Sequence, residues 1–287
     1  MQQQHRDENQ RKHSIEGHTP DRESTGEKIE EEVEEVVKEA QQEVAEARRP
    51  WYQTVRWGRI LLVAYGILLA LSALLAWWVY YHPVLAVDVT ITREFQENQA
   101  PWLRYTMIAV SFIGNEAALS FGLIVLAVLL LWIVDLRLEA IMVVAVTATS
   151  ALLLELIKYI VARPRPTPYL VDIIQQASGQ SFPSGHVMSY VAFWGLLFSF
   201  GIILFQGKHW WRTGLLIISG LLVVLVGPSR VYLGDHWASD VLGGYLISGI
   251  LLGIALWIYL DLKGRGVLAP RRKRAKRFHE KYLKPTP

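Results

Sequence analysis

In the stretch from Ser229 to Asp240 a histidine, His236, precedes an aspartate, Asp240, by four residues. On a helix that spacing puts both side chains on one face. A carboxylate so placed holds an imidazole in one tautomer and frees the other ring nitrogen to act as base, nucleophile or ligand. Arg230 stands upstream, across the turn Tyr232-Leu233-Gly234-Asp235, and its planar guanidinium suits phosphate. A histidine, its orienting acid and an anion binder beside an apolar run point to chemistry on an anion. A polar loop with a snorkelling arginine and a helix-starting aspartate explains this stretch, taken alone, equally well.

Two further stretches carry matching chemistry. Lys158 lies near the end of one apolar run, and Arg165 follows in the helix stop Arg163-Pro164-Arg165-Pro166. Ser184, Gly185 and His186, after Pro183, open the next run. A helix starting there offers free backbone N–H groups and a dipole that favour an anion.

The elements that must position these residues are membrane spans. The 287-residue chain is 52% hydrophobic and 19% charged, too apolar for an ordinary soluble domain. Uncharged runs cover Ile60 to Tyr81, Ala117 to Val134, Val187 to Gln206, Thr213 to Pro228 and Val241 to Leu260. A sixth, Ala140 to Ile160, is broken only by Glu155 and Lys158. The expected fold is an all-α polytopic bundle of about six transmembrane helices. Lys and Arg crowd the loops on one side, so that side is expected to be cytoplasmic, with both termini inside. The loop after the third span, the start of the fourth and the link between the fifth and sixth then share the extracytoplasmic face. Pro83 to Arg104 reads as a mixed loop, with Val87, Val89 and Ile91 alternating as in a short extended or interfacial piece.

Three regions follow: a cytoplasmic arm over 1–50, a transmembrane domain over 51–265, and a basic tail over 266–287. The arm is polar, so the first span is expected to serve as the insertion signal. Residues 27–47 place Ile29, Val33, Val36, Val37, Ala40 and Val44 at helical spacing among glutamates. A solvated amphipathic helix explains that pattern; self-association through residues 27–47 is the partnership it would suit. The tail, with Arg271 to Arg277, is expected to touch anionic lipids. An orientation signal accounts for it without nucleic acid.

Together the three stretches read Lys-x6-Arg-Pro, Pro-Ser-Gly-His and Ser-Arg-x5-His-x3-Asp. This resembles the type 2 phosphatidic acid phosphatase superfamily, the integral membrane lipid phosphate phosphatases, with every motif position matched between Lys158 and Asp240. The resemblance implies that His236 is the nucleophile and forms a phosphohistidine, that Asp240 orients it, and that His186 protonates the leaving oxygen and then activates water. It implies that Lys158, Arg165, Ser184, Gly185 and Arg230 bind the substrate phosphate, without a metal or other cofactor. The substrate class it implies is a lipid phosphate or diphosphate of the phosphatidic acid, undecaprenyl diphosphate or phosphatidylglycerol phosphate type. The residues agree with this: three cations and a helix N-terminus can neutralise a phosphoryl group. Asp235 and Asp240 flanking one histidine are thin for a hard cation, and the absence of cysteine excludes thiolate metal sites.

Other polar residues have plainer explanations. Glu155, one turn from Lys158, reads as its structural partner; Glu116 as a helix-start carboxylate; Asp235 as a helix cap. Tyr232 and Trp237 read as interface or acyl-chain contacts, and Arg163 lies outside the motif. Gly243, Gly244, Gly249 and Gly253 read as helix-packing positions. A phosphotransferase using the same site and a non-catalytic lipid-binding scaffold are the rival functions; a scaffold has no need of both histidines.

Overall fold

Apolar runs of this length satisfy their backbone polar groups in a bilayer only as helices. The computed structural model of the chain describes residues 51–205 and 210–268, with side chains from residue 60. The arm's acidic stretch and the tail from residue 269 onward lie outside the described residues. In chain order the helices are α1 (Trp51–Tyr81), α2 (Ala86–Glu97), α3 (Pro101–Asn115), α4 (Ala117–Ile133) and α5 (Arg137–Val161). They continue with α6 (Gly185–Ile203), α7 (Trp210–Tyr232) and α8 (Ala238–Gly264). No strand occurs among the described residues.

Five of these helices are long and apolar enough to cross a membrane, and α3 with α4 pass the same test only as a bent pair, which makes six when the pair is counted as one span. The second span is therefore not one rod from Ala117: its two halves meet at 69° around Glu116. Glu116 caps α4 through its backbone only and its side chain is exposed. The middle of α6 widens into a π turn over Val191–Gly195.

Burial singles out α6 as the central helix: 56% of its apolar stretch is enclosed, against 6% for α1. Helices α5, α7 and α8 pack around it. One cluster, with Met142, Val143, Leu196, Phe200 and Tyr259, holds α5, α6 and α8 together. Another, with Val110, Val187, Val191, Val226 and Val241, joins α3, α6, α7 and α8 at the end that carries the motif residues.

Of the four glycines read as helix-packing positions, Gly244 and Gly253 meet other helices, α6 and α1, and Gly243 meets the Phe182 ring in the loop before α6. A Cβ on Gly243 would stand 2.5 Å from Phe182 Cζ, one on Gly244 would stand 3.0 Å from Val187 Cβ, and one on Gly253 would strike the Tyr65 hydroxyl. Gly249 has nothing within 4 Å, so its small size serves no contact here.

Pro228 lies inside α7 and cannot donate to the carbonyl four residues back. The Tyr245 hydroxyl from α8 fills the gap, donating to Val223 O at 2.6 Å and lying 3.3 Å from Val224 O. Gly227 N donates to that same hydroxyl at 3.1 Å. The helix therefore runs on past the proline to deliver Ser229 and Arg230.

The region from Pro83 to Arg104 differs from the expected loop. Residues 86–97 are helical, and the buried positions are polar: Asp88, Thr92 and Gln96, each one turn apart. The alternation of Val87, Val89 and Ile91 is outweighed by that four-residue period of inward-facing groups.

Candidate active site

Each site residue is delivered by a break in a helix. α5 stops where Ala162 turns left-handed, with φ 48°, and Pro164 and Pro166 keep the chain extended past Arg163 and Arg165. α6 begins at Gly185, with Ser184 as its N-cap. α7 ends at Tyr232, and the chain turns through Gly234, with φ 75°, before α8 starts at Ala238. A Cβ on Gly234 would strike Asp172 O, so the turn needs glycine both for its backbone angle and for that close approach. Residues 174 and 175 latch onto the turn by donating their N–H groups to Leu233 O at 3.0 and 3.3 Å.

His236 and Asp240 were expected on one helical face. His236 instead precedes the helix, because Trp237 is the N-cap of α8. Asp240 is at the N3 position and its Oδ2 accepts the Trp237 N–H at 2.9 Å. The two still meet: His236 Nδ1 lies 3.6 Å from Asp240 Oδ2, a contact longer than a hydrogen bond. Ser181 Oγ donates to that Oδ2 at 2.5 Å and stands 3.5 Å from His236 Nδ1.

The other ring nitrogen meets a cation. Arg165 Nη1 lies 3.3 Å from His236 Nε2 and donates to Asp235 O at 2.7 Å. Arginine has no acceptor, so a hydrogen bond there requires Nε2 to be the unprotonated nitrogen and Nδ1 to carry the proton toward Asp240. Burial pushes the His236 pKa down to about 4; Asp240 opposes the shift, and Arg165 and Arg230 reinforce it. The imidazole is therefore neutral at pH 7, with its lone pair on Nε2.

Arg230 is fully buried. Its guanidinium donates to the Asp235 carboxylate and to Ser111 Oγ, and Ser111 donates to Gln175 Oε1 at 2.9 Å. Burial raises the pKa of Asp235, and the Arg230 and Arg165 cations work against that. Asp235 is thus the counter-ion of Arg230 and not the cap of α8. Burial lowers the pKa of Arg165 while Asp235 and Asp240 hold it up. His186 stands within electrostatic reach of Arg230, His236, Arg165 and Lys158. Lys158 Nζ would lie 3.9 Å from a Cβ on Gly185. The motif residues thus come together at one end of the helices.

Ser184 Oγ, His186 Nε2, Arg230 Nε and Asp235 Oδ1 are buried without a hydrogen-bond partner. Three of the four can donate. A cavity of about 200 Å³, lined by Arg165, Pro166, Gln175, Gln176 and Asp235, adjoins this group at Asp235. No cluster of carboxylates and histidines with metal-binding geometry occurs among the described residues.

Residues 139–264 match the model of the PAP2 superfamily. Phosphatidylglycerophosphatase B of Bacillus subtilis is 31% identical over 181 residues, which are 62% of this chain and 86% of that protein. The undecaprenyl-diphosphatase of Sulfolobus acidocaldarius is 29% identical over 57% of this chain and 74% of its own length. The chain belongs to the PAP2 superfamily. Its fold agrees with the crystal structure of a transmembrane PAP2 type phosphatidylglycerolphosphate phosphatase from Bacillus subtilis. The TM-score is 0.60 at 27% identity, over 69% of this chain and 96% of that one.

The PAP2 motifs do not include all of the residues that build this cleft. Arg163, set aside on sequence grounds, is 1% exposed and donates to Asp240 Oδ1 at 2.5 Å and Asp88 Oδ2 at 2.8 Å. Ser181, Ser111 and Gly114 also enter, the last by packing its backbone against the His186 ring. Trp237 and Tyr232 are buried and do not face lipid: Trp237 Nε1 donates to Pro164 O at 3.2 Å and Tyr232 OH to Asn98 O at 3.1 Å. Glu155 is exposed and acts on Lys158 only electrostatically, without an ion pair, so it is not the structural partner that the sequence suggests.

Proposed function

We propose that this PAP2-type lipid phosphatase hydrolyses its substrate through a phosphohistidine on His236, without a metal, at the extracytoplasmic face. The observation that carries the reading is the set of unpartnered buried donors, Ser184 Oγ, His186 Nε2 and Arg230 Nε, gathered around a neutral imidazole. Unsatisfied buried donors are costly, and a phosphoryl group supplies the acceptors they lack.

His236 Nε2 attacks the terminal phosphorus in line, and its bond to the leaving oxygen breaks, the lipid hydroxyl oxygen of a monoester or the bridging oxygen of a diphosphate. His186, protonated and held as imidazolium by the bound phosphate dianion, gives that leaving oxygen its proton. As the ring becomes cationic, Asp240 stabilises Nδ1–H. His186, now neutral, takes a proton from water; the resulting hydroxide attacks phosphorus, the P–N bond breaks, and inorganic phosphate leaves with His236 neutral again. Lys158, Arg165 and Arg230 with the α6 N-terminus at Ser184 and Gly185 neutralise the equatorial oxygens throughout.

The substrate class is a lipid phosphomonoester or diphosphate, of the phosphatidylglycerol phosphate, phosphatidic acid or undecaprenyl diphosphate type. The first and third are named in the relatives. The extracytoplasmic placement rests on the Lys and Arg asymmetry of the loops. The test is phosphate release by purified protein from a panel of these lipids with EDTA present. The wild type should turn over, His236→Ala should not, and acid-labile phosphate should be trapped on the wild type alone. Loss of wild-type activity in EDTA would refute the metal-free mechanism.

A further inference from the structure

We propose that Asp88 and Arg163 are positioning residues for the nucleophile: a buried chain, Asp88 to Arg163 to Asp240, fixes the carboxylate that faces His236. The proposal rests on the reading of His236 as nucleophile.

Every link of the chain is enclosed. Asp88, Arg163 and Asp240 are each at most 1% exposed. Asp88 accepts from Arg163 Nη2 at 2.8 Å, from Ser239 N at 2.9 Å and from Ser239 Oγ at 2.6 Å. Arg163 reaches the other way with Nη1, to Asp240 Oδ1 at 2.5 Å and Ser239 Oγ at 2.7 Å, while its Nε donates to Pro83 O at 2.9 Å. The guanidinium fork is thus pinned at three corners.

The consequence is a division of labour at Asp240. Arg163 takes Oδ1. Oδ2 is left to Trp237 N, Ser181 Oγ and the imidazole. Without Arg163 held square by Asp88, Oδ1 loses its anchor, and only Trp237 N and Ser181 Oγ resist a rotation that takes Oδ2 off the ring. Stability gives a poor reason for this arrangement, because a buried ion pair seldom outperforms apolar packing of the same volume. Placing two carboxylates on one arginine beside a catalytic histidine is an expensive way to hold α2 down. Gln96 already does that at the other end of α2, donating to Asp172 O at 2.7 Å and Tyr232 O at 3.0 Å.

That second anchor supplies the control. Asp88→Asn and Gln96→Ala are compared with wild type for kcat, KM and inhibition by inorganic phosphate. Asp88→Asn should lower kcat about 10- to 100-fold, with KM and phosphate inhibition changed less than about twofold, since Lys158, Arg165, Arg230 and Ser184 are untouched. Gln96→Ala should cost less than about threefold. Equal losses in the two variants, a loss carried by KM, or an unaltered kcat in Asp88→Asn would overturn the proposal. If Asp88→Asn is not recovered folded, Ser239→Ala removes a donor from the same chain without stranding a charge, and is judged by the same split. A second readout needs no substrate: the His236 tautomer, by 15N NMR of histidine-labelled protein in detergent. Wild type and Gln96→Ala should show one tautomer with the proton on Nδ1, and Asp88→Asn a mixture; an unmixed tautomer in Asp88→Asn overturns the proposal. Failure of wild type to release phosphate from any lipid phosphate would instead sink the functional reading, leaving the tautomer to decide this one.

Discussion

Replacing Gly114 by alanine should disable His186 without unfolding the protein. Gly114 is the penultimate residue of α3. A Cβ there would stand 2.7 Å from His186 Cδ2, 2.7 Å from Tyr190 Cε2 and 3.3 Å from His186 Nε2. Carbon atoms rest at about 3.5–4.0 Å, so roughly 1 Å must be found. Tyr190 resists, because its hydroxyl is tied to Val110 O on α3 itself. The His186 ring gives way, because its Nε2 has no partner to hold it. Displacing a reacting group by about 1 Å costs on the order of 100-fold in rate. Overpacking costs about 1–3 kcal/mol, offset by about 1 kcal/mol for removing a helical glycine, so folding survives. The assay is phosphate release from lipid phosphate in mixed micelles, with Gly122→Ala as control, since a Cβ on Gly122 meets nothing within 4 Å. Gly114→Ala should lose kcat about 100-fold, with KM close to wild type. Full kcat in Gly114→Ala, or the same loss in Gly122→Ala, would show that this ring position does not govern the chemistry.

Acidity should destabilise the fold through His236. Its folded pKa, about 4, lies below the ordinary 6.5. The unfolded chain therefore takes up a proton below pH 6.5 that the folded chain refuses until about pH 4. This contribution is complete above pH 6.5 and is lost as pH falls through the folded value, on the order of 3 kcal/mol in all. Unfolding in detergent at pH 7 and pH 4.5 should show the loss for wild type and a smaller one for His236→Ala. Gly243→Ala should lower the melting temperature, because its Cβ would press into the Phe182 ring, a cost of about 1–3 kcal/mol. Gly249→Ala, with open space around it, should melt like wild type.

The motif residues were legible because each sits beside a helix break that the sequence announces: prolines after α5, Pro-Ser-Gly before α6, the glycine turn before α8. The six apolar runs were legible for the same reason, as hydropathy is local. What was not legible is what depends on contacts between distant residues. Arg163 bonds Asp88 across 75 positions and Asp240 across 77, and no spacing rule connects them. The helix α2 did leave a signal, the one-turn period of Asp88, Thr92 and Gln96, but that period is normally sought in apolar residues. Here the buried stripe is polar, so the valine alternation looked stronger. Residue type alone points Trp237 and Tyr232 to the interface or to acyl chains; each instead gives its polar tip to a backbone carbonyl of a neighbouring segment, Pro164 O and Asn98 O.

The same cleft that strands its donors should respond sharply to phosphate, and Ser184 isolates that effect. Its hydroxyl is buried with no partner, so removing it takes away no bond from the free protein and relieves an unmet donor. Ser184→Ala should therefore melt at or slightly above the wild-type temperature in phosphate-free detergent. With phosphate present the order should reverse. A ligand at 100 times its Kd stabilises by about 2.7 kcal/mol, a rise of about 5–10 °C for a chain of this size. A hydrogen bond to a charged group is worth about 1.5–3 kcal/mol, so the variant should need about 10- to 100-fold more phosphate for the same rise. A variant that melts low without phosphate would mean that Ser184 serves the fold. One that keeps the full phosphate response would mean that its hydroxyl does not face the anion, and the assignment of this helix N-terminus to phosphate binding would lose its side-chain support.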